Sequence, residues 1–260
     1  MRGVTLKSPK YSIITIINNK STFDEFSVSL SQQRDVDYEL IKINNCNNEF
    51  TSARSAYNHA ANLAKGEFLI FCHPDIRFLD EHSLFDICKF AQDQKEFGVM
   101  GIAGSPSELK NNNRVLLSTI IHGNDKIQAG DSNFSHATEV QTLDECFFIM
   151  TKKFWELHPF SNQTGWHLYA VEQCIVANLN NQKNYVVPAR IWHTSDGKSE
   201  DYHYYIYLRQ LIHKYRDNLP ATLNTTVKKF PTRGMSANLY TLYWLINRWI
   251  KQFLHIKIKG

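Results

Sequence analysis

The sequence predicts an α/β protein with a mixed, mainly parallel sheet flanked by helices. Between residues 11 and 103, β-rich apolar runs alternate with helical segments across short polar loops. This order predicts parallel strands with crossover helices on both faces. The apolar run Phe68-Leu69-Ile70-Phe71-Cys72 leads directly into His73-Pro74-Asp75. Ligands bind at strand ends in such sheets, so Asp75 marks the first candidate functional position.

Composition narrows the class of protein. The chain has 260 residues, of which 43% are hydrophobic and 21% are charged, so wholesale disorder is excluded. Its 29 Lys and Arg against 25 Asp and Glu leave a small positive excess that is concentrated near the C-terminus. Such an excess fits an anionic membrane surface or phosphate ligands, and we expect no nucleic acid partner.

Cysteine usage and the N-terminus indicate a cytoplasmic protein. The five cysteines form no CxxC pair, which indicates reduced thiols in a reducing compartment. The first ten residues contain no apolar run typical of a signal peptide, and no uncharged run is long enough to predict a spanning helix.

The first half of the chain predicts three strands and two helices before Asp75. Ser21 and Asp24 resemble a capping box that opens a helix, and Gly66 ends a second helix. The predicted strands are 11–17, 38–43 and 68–72, the predicted helices are 21–33 and 52–64, and a turn covers 44–48.

The second half changes character near residue 114. Helix 84–93 and strand 99–103 continue the alternation, but 114–150 is β-rich and broken by glycines, which predicts antiparallel strands. Helix 168–179, strand 185–191 and helix 202–215 follow, and then a linker around 220–226 and a last helix from about 237. We therefore divide the chain into a domain at 1–218, with halves of about 11–105 and 106–218, and a C-terminal part at 219–260.

Two blocks resemble family 2 glycosyltransferases with the Rossmann-like GT-A fold, of the type that builds bacterial surface glycans. They are Ala53-Arg54-Ser55-Ala56-Tyr57-Asn58 and the run 64–71 with its terminal acid, and the resemblance extends over about 11–195. In that family the strand-end acid belongs to a DxD motif that holds a divalent metal on the donor diphosphate. Here the motif is His73-Pro74-Asp75, so only Asp75 keeps a carboxylate.

The resemblance implies a metal and a donor site at the strand ends. Asp75 and His193 are the expected ligands of Mn²⁺ or Mg²⁺, and an oxygen ligand with an imidazole suits such a cation. Each has a structural alternative, a helix-capping acid for Asp75 and a packed histidine for His193. The expected donor-binding residues are Asn18, Asn44, Arg54, Asn58, His73, Asp75, Ser195 and Gly197.

The acids of the second half are candidates for proton transfer. Glu172, in a segment that resembles the family's acceptor helix, is the predicted base that deprotonates the acceptor hydroxyl. Asp144 is the competing catalytic acid, and Glu145, Trp166 and His167 are expected to bind the acceptor. Structural alternatives remain open, because Glu172 can be a solvated helix residue and Asp144 or Glu145 can cap a turn.

The C-terminal helix has an apolar face. Seven apolar side chains share helical spacing: Leu239, Leu242, Tyr243, Ile246, Trp249, Ile250 and Phe253. Aromatic residues beside lysines are typical of a helix at a membrane interface. Packing on the domain, or on a second copy in a homodimer, is an equal alternative.

These features together predict an inverting glycosyltransferase. The expected donor is a nucleotide-diphosphate sugar, taken to be a UDP-sugar, and the expected acceptor is a hydroxyl of a surface polysaccharide or a lipid-linked glycan at the inner face of the cytoplasmic membrane. A nucleotide-sugar or glycan-binding module without transfer would explain the altered DxD motif. A nucleotidyltransferase is disfavoured because no Gly-rich phosphate loop with its lysine lies near strand 11–17.

Overall fold

The computed structural model describes residues 9–94, 96–196 and 200–254. Its helices are α1 (Lys20–Ser31), α2 (Ala53–Leu63), α3 (Ser83–Asp93), α4 (Lys152–Leu157), α5 (Tyr169–Leu179), α6 (Tyr202–Tyr215) and α7 (Gly234–Phe253). Among the described residues, none of these helices has the length and apolar character needed to cross a membrane.

The strands fall into one large sheet and several small ones. In chain order they are β1 (Tyr11–Ile17), β2 (Tyr38–Asn44), β3 (Phe68–Cys72), β4 (Ile76–Phe78), β5 (Met100–Gly101), β6 (Ala103–Ser105), β7 (Leu109–Lys110), β8 (Asn113–Arg114), β9 (Leu117–Ser118), β10 (Ile121–His122), β11 (Ile127–Gln128), β12 (Thr138–Val140), β13 (Thr142–Leu143), β14 (Phe147–Thr151), β15 (Asn184–Val186), β16 (Ile191–His193), β17 (Thr222–Asn224) and β18 (Lys229–Pro231).

The large sheet has the order β12-β15-β5-β14-β3-β1-β2. β1 runs parallel to β2 and β3, and β15 runs parallel to β5. β14 is antiparallel to both of its neighbours, and β12 is antiparallel to β15. The predicted mixed, mainly parallel sheet is therefore confirmed, and β14 and β12 are the antiparallel strands that the β-rich stretch indicated.

Both faces of this sheet are covered, which is why β1 and β3 are buried along their whole length and mostly apolar. Ile13 and Ile70 lie in the core cluster on the side of α1 and α3, whereas Ile14 and Phe71 lie in the cluster that includes residues of α2 and α5. Ser12, one of the two polar residues of β1, is buried but donates to Glu39 Oε1 at 2.7 Å. Burial of this continuous apolar surface fixes the strand ends that carry the site.

Three local predictions are wrong. The predicted strand 185–191 is two short strands, β15 and β16, which belong to different sheets. The helix α1 is capped by Asn19, whose side chain accepts a hydrogen bond from the Thr22 amide at 3.1 Å, so Ser21 is not its cap. The predicted linker around 220–226 is instead the hairpin β17–β18. Leu223 and Phe230 of that hairpin are buried in a third core cluster.

The last helix, α7, packs against α6 on one side only. Ala237 and Thr241 are buried, and Trp244 stacks on Tyr205 of α6 with ring centroids 6.3 Å apart. The apolar residues predicted to share a face are all exposed: Leu239, Leu242, Tyr243, Ile246, Trp249, Ile250 and Phe253. Within the described chain, therefore, α7 is attached to the domain and leaves an apolar stripe, defined by these seven residues, uncovered.

Candidate active site

A cavity of about 850 Å³ opens at the carboxyl ends of β1 and β3. Its walls come from those strand ends, from the β-rich stretch after β6, from the start of α5, and from the segments that follow β16 and β17. Most of the residues singled out in the sequence lie on it: Asn18, His73, Asp75, Asp144, Glu145, Trp166, His167, His193 and Ser195. Gly197 lies outside the described residues.

Three of these side chains form a cluster with the donor set of a metal site. One nitrogen from each of His73 and His193 and one carboxylate oxygen of Asp75 lie within 4.8 Å of one another. The sequence predicted Asp75 and His193 as ligands, whereas His73 was expected only to contact the donor. The sequence could have indicated His73 as a third ligand, because imidazole binds borderline cations well and His73 occupies the strand end.

Strand pairing holds the cluster together. β16 pairs antiparallel with β4 so that His193 lies opposite Ile76, the residue after Asp75. The backbone amide and the hydroxyl of Thr194 both donate to the Asp75 carbonyl, at 2.8 and 3.0 Å. As a result, Asp75 Oδ2 lies 3.2 Å from His193 Nε2.

The electrostatics of the cluster are those of a site that receives a cation. Burial alone would raise the pKa of Asp75, but the hydrogen bond from His193 and the charges of the two histidines lower it well below its usual range. Burial lowers the pKa of His73, which favours the neutral ring that a metal requires. The second carboxylate oxygen, Asp75 Oδ1, is buried without a hydrogen-bond partner in the described chain. An orphaned carboxylate oxygen beside two imidazoles fits a divalent metal ion.

Tyr169 connects this cluster to the second half of the site. Its hydroxyl lies 2.6 Å from His73 Nε2, so that His73 Nδ1 is the nitrogen directed towards Asp75. Its backbone amide donates to Glu145 Oε1 at 2.6 Å. The preceding residue, Leu168, has φ of 63°, a left-handed conformation that is unfavourable for a leucine and recurs at functional sites.

Glu145 is a cavity carboxylate whose pKa is raised. Burial raises its pKa to about 7, although the charge of His167 opposes the shift. Its Oε2 makes no hydrogen bond to any described residue. Asp144 is more fully engaged, because Oδ1 accepts from the Cys146 amide at 3.0 Å and Oδ2 accepts from Thr226 at 2.8 Å. Glu145 therefore has an oxygen available to a ligand and a pKa near neutrality.

His167 is held at the cavity wall from two sides. Its Nε2 lies 3.4 Å from Asp201 Oδ1, and its carbonyl accepts from Arg54 Nη1 at 3.1 Å. Burial opposes protonation, but the hydrogen bond that His167 donates to the Asp201 carboxylate raises the pKa of His167. A histidine in this setting can carry a proton or donate to an acceptor oxygen.

The prediction that Glu172 is the base is contradicted by its position. Glu172 is 2% exposed and forms a buried ion pair with Arg54, whose Nε lies 2.8 Å from Oε2. Ser161, Lys214 and Tyr215 donate to the same carboxylate at 2.9, 2.8 and 3.1 Å. Burial alone would raise the pKa of Glu172, but the charge of Arg54 and the hydrogen bond from Lys214 lower it. A carboxylate with every lone pair engaged inside the protein cannot take a proton from a substrate.

Three predicted donor-binding residues also have structural roles. Arg54 is buried in the pair with Glu172, and its Nη1 supports the His167 carbonyl. Asn58 holds the start of the segment before α5, since its Oδ1 accepts from Trp155 and from the Phe160 amide. Asn44 is exposed and caps a turn by accepting from the Cys46 amide. None of the three lies on the described cavity wall.

Sequence reasoning missed three cations on the cavity wall. They are Arg114, Lys228 and Arg248, which belong to β8, to the β17–β18 turn and to α7. Their separation along the chain left no local pattern that would have grouped them. The one sequence feature that hinted at this group of cations is the basic character of the C-terminal part.

Comparison with protein families assigns the chain. The model described as "Glycosyltransferase like family" matches residues 12–215, most of the chain and all of the large sheet except the first residue of β1. The chain belongs to this family. The prediction of a family 2 glycosyltransferase with the GT-A fold is thereby confirmed.

A curated relative from Fuscovulum blasticum, named "ATP synthase subunits region ORF 6", is similar at 24% identity over 165 residues. The match covers 61% of this chain and 64% of the relative, so it spans less than two thirds of that relative's length. Its name describes no activity.

Solved structures share the fold of this glycosyltransferase. S. aureus TarS 1-349 in complex with UDP-GlcNAc has a TM-score of 0.54 at 18% identity, over 79% of this chain and 66% of TarS 1-349. The mannosyltransferase PcManGT from Pyrobaculum calidifontis, in complex with GDP-Man and Mn²⁺, has a TM-score of 0.54 at 11% identity, over 92% of this chain and 70% of PcManGT.

Proposed function

We propose that the protein transfers a sugar, with inversion, from a UDP-sugar to a hydroxyl group of a bacterial surface polysaccharide or a lipid-linked glycan. The observation that carries this proposal is the arrangement in one cavity of the His73, Asp75 and His193 cluster and the free oxygen of Glu145. The cluster supplies a place for the donor diphosphate, and Glu145 supplies a base for the acceptor.

The donor side rests on the fit of the cluster to a divalent metal. His73, Asp75 and His193 would hold Mn²⁺ or Mg²⁺, and the bound ion would offset the negative charge that develops on the departing nucleoside diphosphate. Tyr169 fixes the His73 ring, as outer partners of metal-binding histidines commonly do. Complexes of TarS with UDP-GlcNAc and of PcManGT with GDP-Man and Mn²⁺ support a nucleotide-sugar donor. Asn18 and Ser195 on the same wall can contact the donor by hydrogen bonds.

The acceptor side places proton transfer on Glu145. A carboxylate with a pKa of about 7 is partly ionised at neutral pH and is basic enough to accept a proton from a hydroxyl that attacks the anomeric carbon. Attack from the face opposite the departing diphosphate, in a single displacement, inverts the anomeric centre. Asp144 is held by Thr226 and the Cys146 amide and is suited to orient the acceptor, together with Trp166 and His167.

The C-terminal part supports a location at the inner face of the cytoplasmic membrane. After residue 217 the chain has seven Lys and Arg and no Asp or Glu, whereas residues 1–217 hold the other 22 Lys and Arg and all 25 acids. The apolar stripe of α7 therefore lies on the one basic part of an otherwise acidic chain. Two such parts would repel each other in a symmetric dimer, whereas an anionic lipid surface attracts them. We propose that the stripe docks on anionic lipid.

A direct assay tests the proposed reaction. The full chain is incubated with Mn²⁺, a panel of labelled UDP-sugars and a lipid-linked or polysaccharide acceptor, and both UDP release and labelled acceptor are measured. We expect both products in equal amounts, and anomeric analysis of the product should show inversion. Tight donor binding without labelled acceptor, across a complete acceptor panel, would instead favour a binding module that does not transfer sugar. The histidine at the first position of the altered DxD motif is also compatible with such a module.

A further inference from the structure

One wall of the cavity concentrates positive charge that the transfer reaction, as proposed, does not use. Arg114, Lys228 and Arg248 all line it, and they come from three distant parts of the chain. Arg114 Nε donates to the carbonyl of Val227, directly before Lys228, at 2.9 Å. The ammonium of Lys228 lies 4.3 Å from the ring centroid of Trp244, which precedes Arg248 by about one helical turn. We refer to these three cations as the basic wall.

Arg248 is the most constrained member of the basic wall. It is 2% exposed, and its Nη2 pairs with Glu200. Its Nε and Nη1 are buried and have no hydrogen-bond partner among the described residues. Buried guanidinium donors without partners are costly, and a ligand with several acceptor oxygens would satisfy them.

Lys228 and Arg114 are positive groups without a neutralising partner. No carboxylate of the described chain lies within 4.0 Å of either side chain, although both are half-buried. Burial and the nearby charge of Arg114 lower the pKa of Lys228. Of the acids near this wall, Glu200 pairs with Arg248 and Asp144 accepts from Thr226, so neither neutralises Arg114 or Lys228. An anion between these cations would relieve their repulsion.

We propose that the basic wall is a subsite for a phosphate group on the acceptor. Two guanidinium forks and an ammonium match the tetrahedral, multiply charged oxygens of a phosphate ester. This inference rests on the proposed function and narrows its acceptor to a lipid-phosphate-linked glycan. The wall is formed by β8, the β17–β18 turn and α7, whereas the metal cluster lies at the ends of β3 and β16.

The geometry of α7 supports a lipid-linked phosphate. Arg248 faces the cavity, and its neighbour Trp249, which is 50% exposed, belongs to the apolar stripe. A lipid chain can therefore lie along the stripe while its phosphate reaches the basic wall. One side of α7 would then contact the lipid chain of the acceptor, and the other side would contact its phosphate.

Titration calorimetry with geranyl monophosphate, a short isoprenoid phosphate, tests the subsite on the full chain. Lys228→Gln and Arg114→Gln should each weaken its binding at least about fivefold, because each removes a charge-assisted contact. The control Lys153→Gln removes an exposed lysine of α4 and should bind as wild type does. The double variant Glu200→Gln/Arg248→Gln leaves no buried charge unpaired and should also lose affinity.

Repeating the titration with UDP and Mn²⁺ present distinguishes the two sources of phosphate. We expect geranyl monophosphate to bind with an affinity that UDP changes less than about twofold, and more tightly than inorganic phosphate. Competition with UDP would overturn the assignment by giving the wall to the donor diphosphate, and equal binding by all variants would exclude a subsite. Absence of UDP binding alongside variant-sensitive phosphate binding would contradict the proposed function and leave the subsite standing.

Discussion

Replacing Glu172 by glutamine should destabilise the fold. The substitution leaves Arg54 charged and buried, because Nε loses the carboxylate at 2.8 Å and the arginine side chain is 1% exposed. Removing one partner of a buried ion pair costs about 3–5 kcal/mol. The pair of Glu172 with Lys214 adds little to this figure, because the Lys214 side chain is 46% exposed. A loss of this size lowers the melting temperature by roughly 10 °C in a domain of this length.

Circular dichroism melts of wild type and Glu172→Gln measure this effect, with donor binding and transfer recorded at a temperature where both are folded. The control Glu139→Gln breaks the exposed pair with Lys183, where the two atoms lie 2.7 Å apart, and should barely change the melting temperature. The pH dependence has a defined sign. Since the pKa of Glu172 is lowered in the folded state, its stabilisation is present above its ordinary pKa of 4.5 and is lost as the pH falls towards the folded value.

A melting temperature of Glu172→Gln within about 2 °C of wild type would contradict a structural role for the Arg54–Glu172 pair. If that stable variant also bound donor normally but lost transfer about a hundredfold or more, Glu172 would be the base after all. A large fall in melting temperature with transfer retained in the folded fraction would place the base elsewhere in the cavity. The double variant Arg54→Met/Glu172→Leu should recover part of the lost stability, because it removes both buried charges together.

Three further predictions concern the cavity and α7. Asp75→Ala and His193→Ala should each weaken UDP binding in Mn²⁺ far more than in chelator, as measured by calorimetry; equal wild-type affinity in both conditions would refute the metal site. Glu145→Gln should keep UDP affinity within a few-fold and reduce transfer about a hundredfold or more, and the wild-type rate should rise with pH through about 7 as Glu145 ionises; normal turnover by this variant would pass the role to Asp144. Trp249→Asp should abolish co-sedimentation with anionic vesicles, whereas Leu157→Asp, at a site that is 67% exposed on α4, should not; loss of dimers instead of vesicle binding would favour a second copy.

The large sheet was predictable because its signals are local. Strand β1 and helix α6 have the predicted bounds, 11–17 and 202–215. Their apolar periodicity reports directly on burial at each face. The strand-end position of Asp75 was equally visible, since it needs only the end of an apolar run.

The hairpin β17–β18 was missed because distant groups satisfy its polar residues. The Asn224 amide donates to Gln141 Oε1 at 2.6 Å, and its side chain donates to the carbonyl of Pro106 at 2.9 Å. In the sequence, a run of Asn and Thr therefore predicts a solvated linker. In the structure, Asn224 and Thr225 are only 1% exposed. Sequence patterns record polarity and cannot record a partner more than eighty residues away.

The same limit explains why the sequence indicated Glu172 as the base, whereas we propose Glu145. Both are glutamates beside apolar residues, and both belong to segments that a transferase is expected to use. Arg54, which lies 118 residues earlier in the chain, neutralises Glu172 by an ion pair. Glu145 accepts a hydrogen bond from one backbone amide, through only one of its two carboxylate oxygens. Three-dimensional partners, which no local pattern encodes, separate the carboxylate of a buried ion pair from the one that keeps an oxygen open to a ligand.

The altered DxD motif is consistent with a working metal site once the whole cluster is considered. His73 replaces a carboxylate, so Asp75 is the only acid of the cluster, and two imidazoles complete the donor set. Mg²⁺ prefers oxygen ligands with octahedral geometry, whereas imidazole is well suited to borderline ions. Loss of one carboxylate also leaves the site less negative, which lowers repulsion towards a diphosphate. A divalent metal held by this donor set would therefore be Mn²⁺ in preference to Mg²⁺.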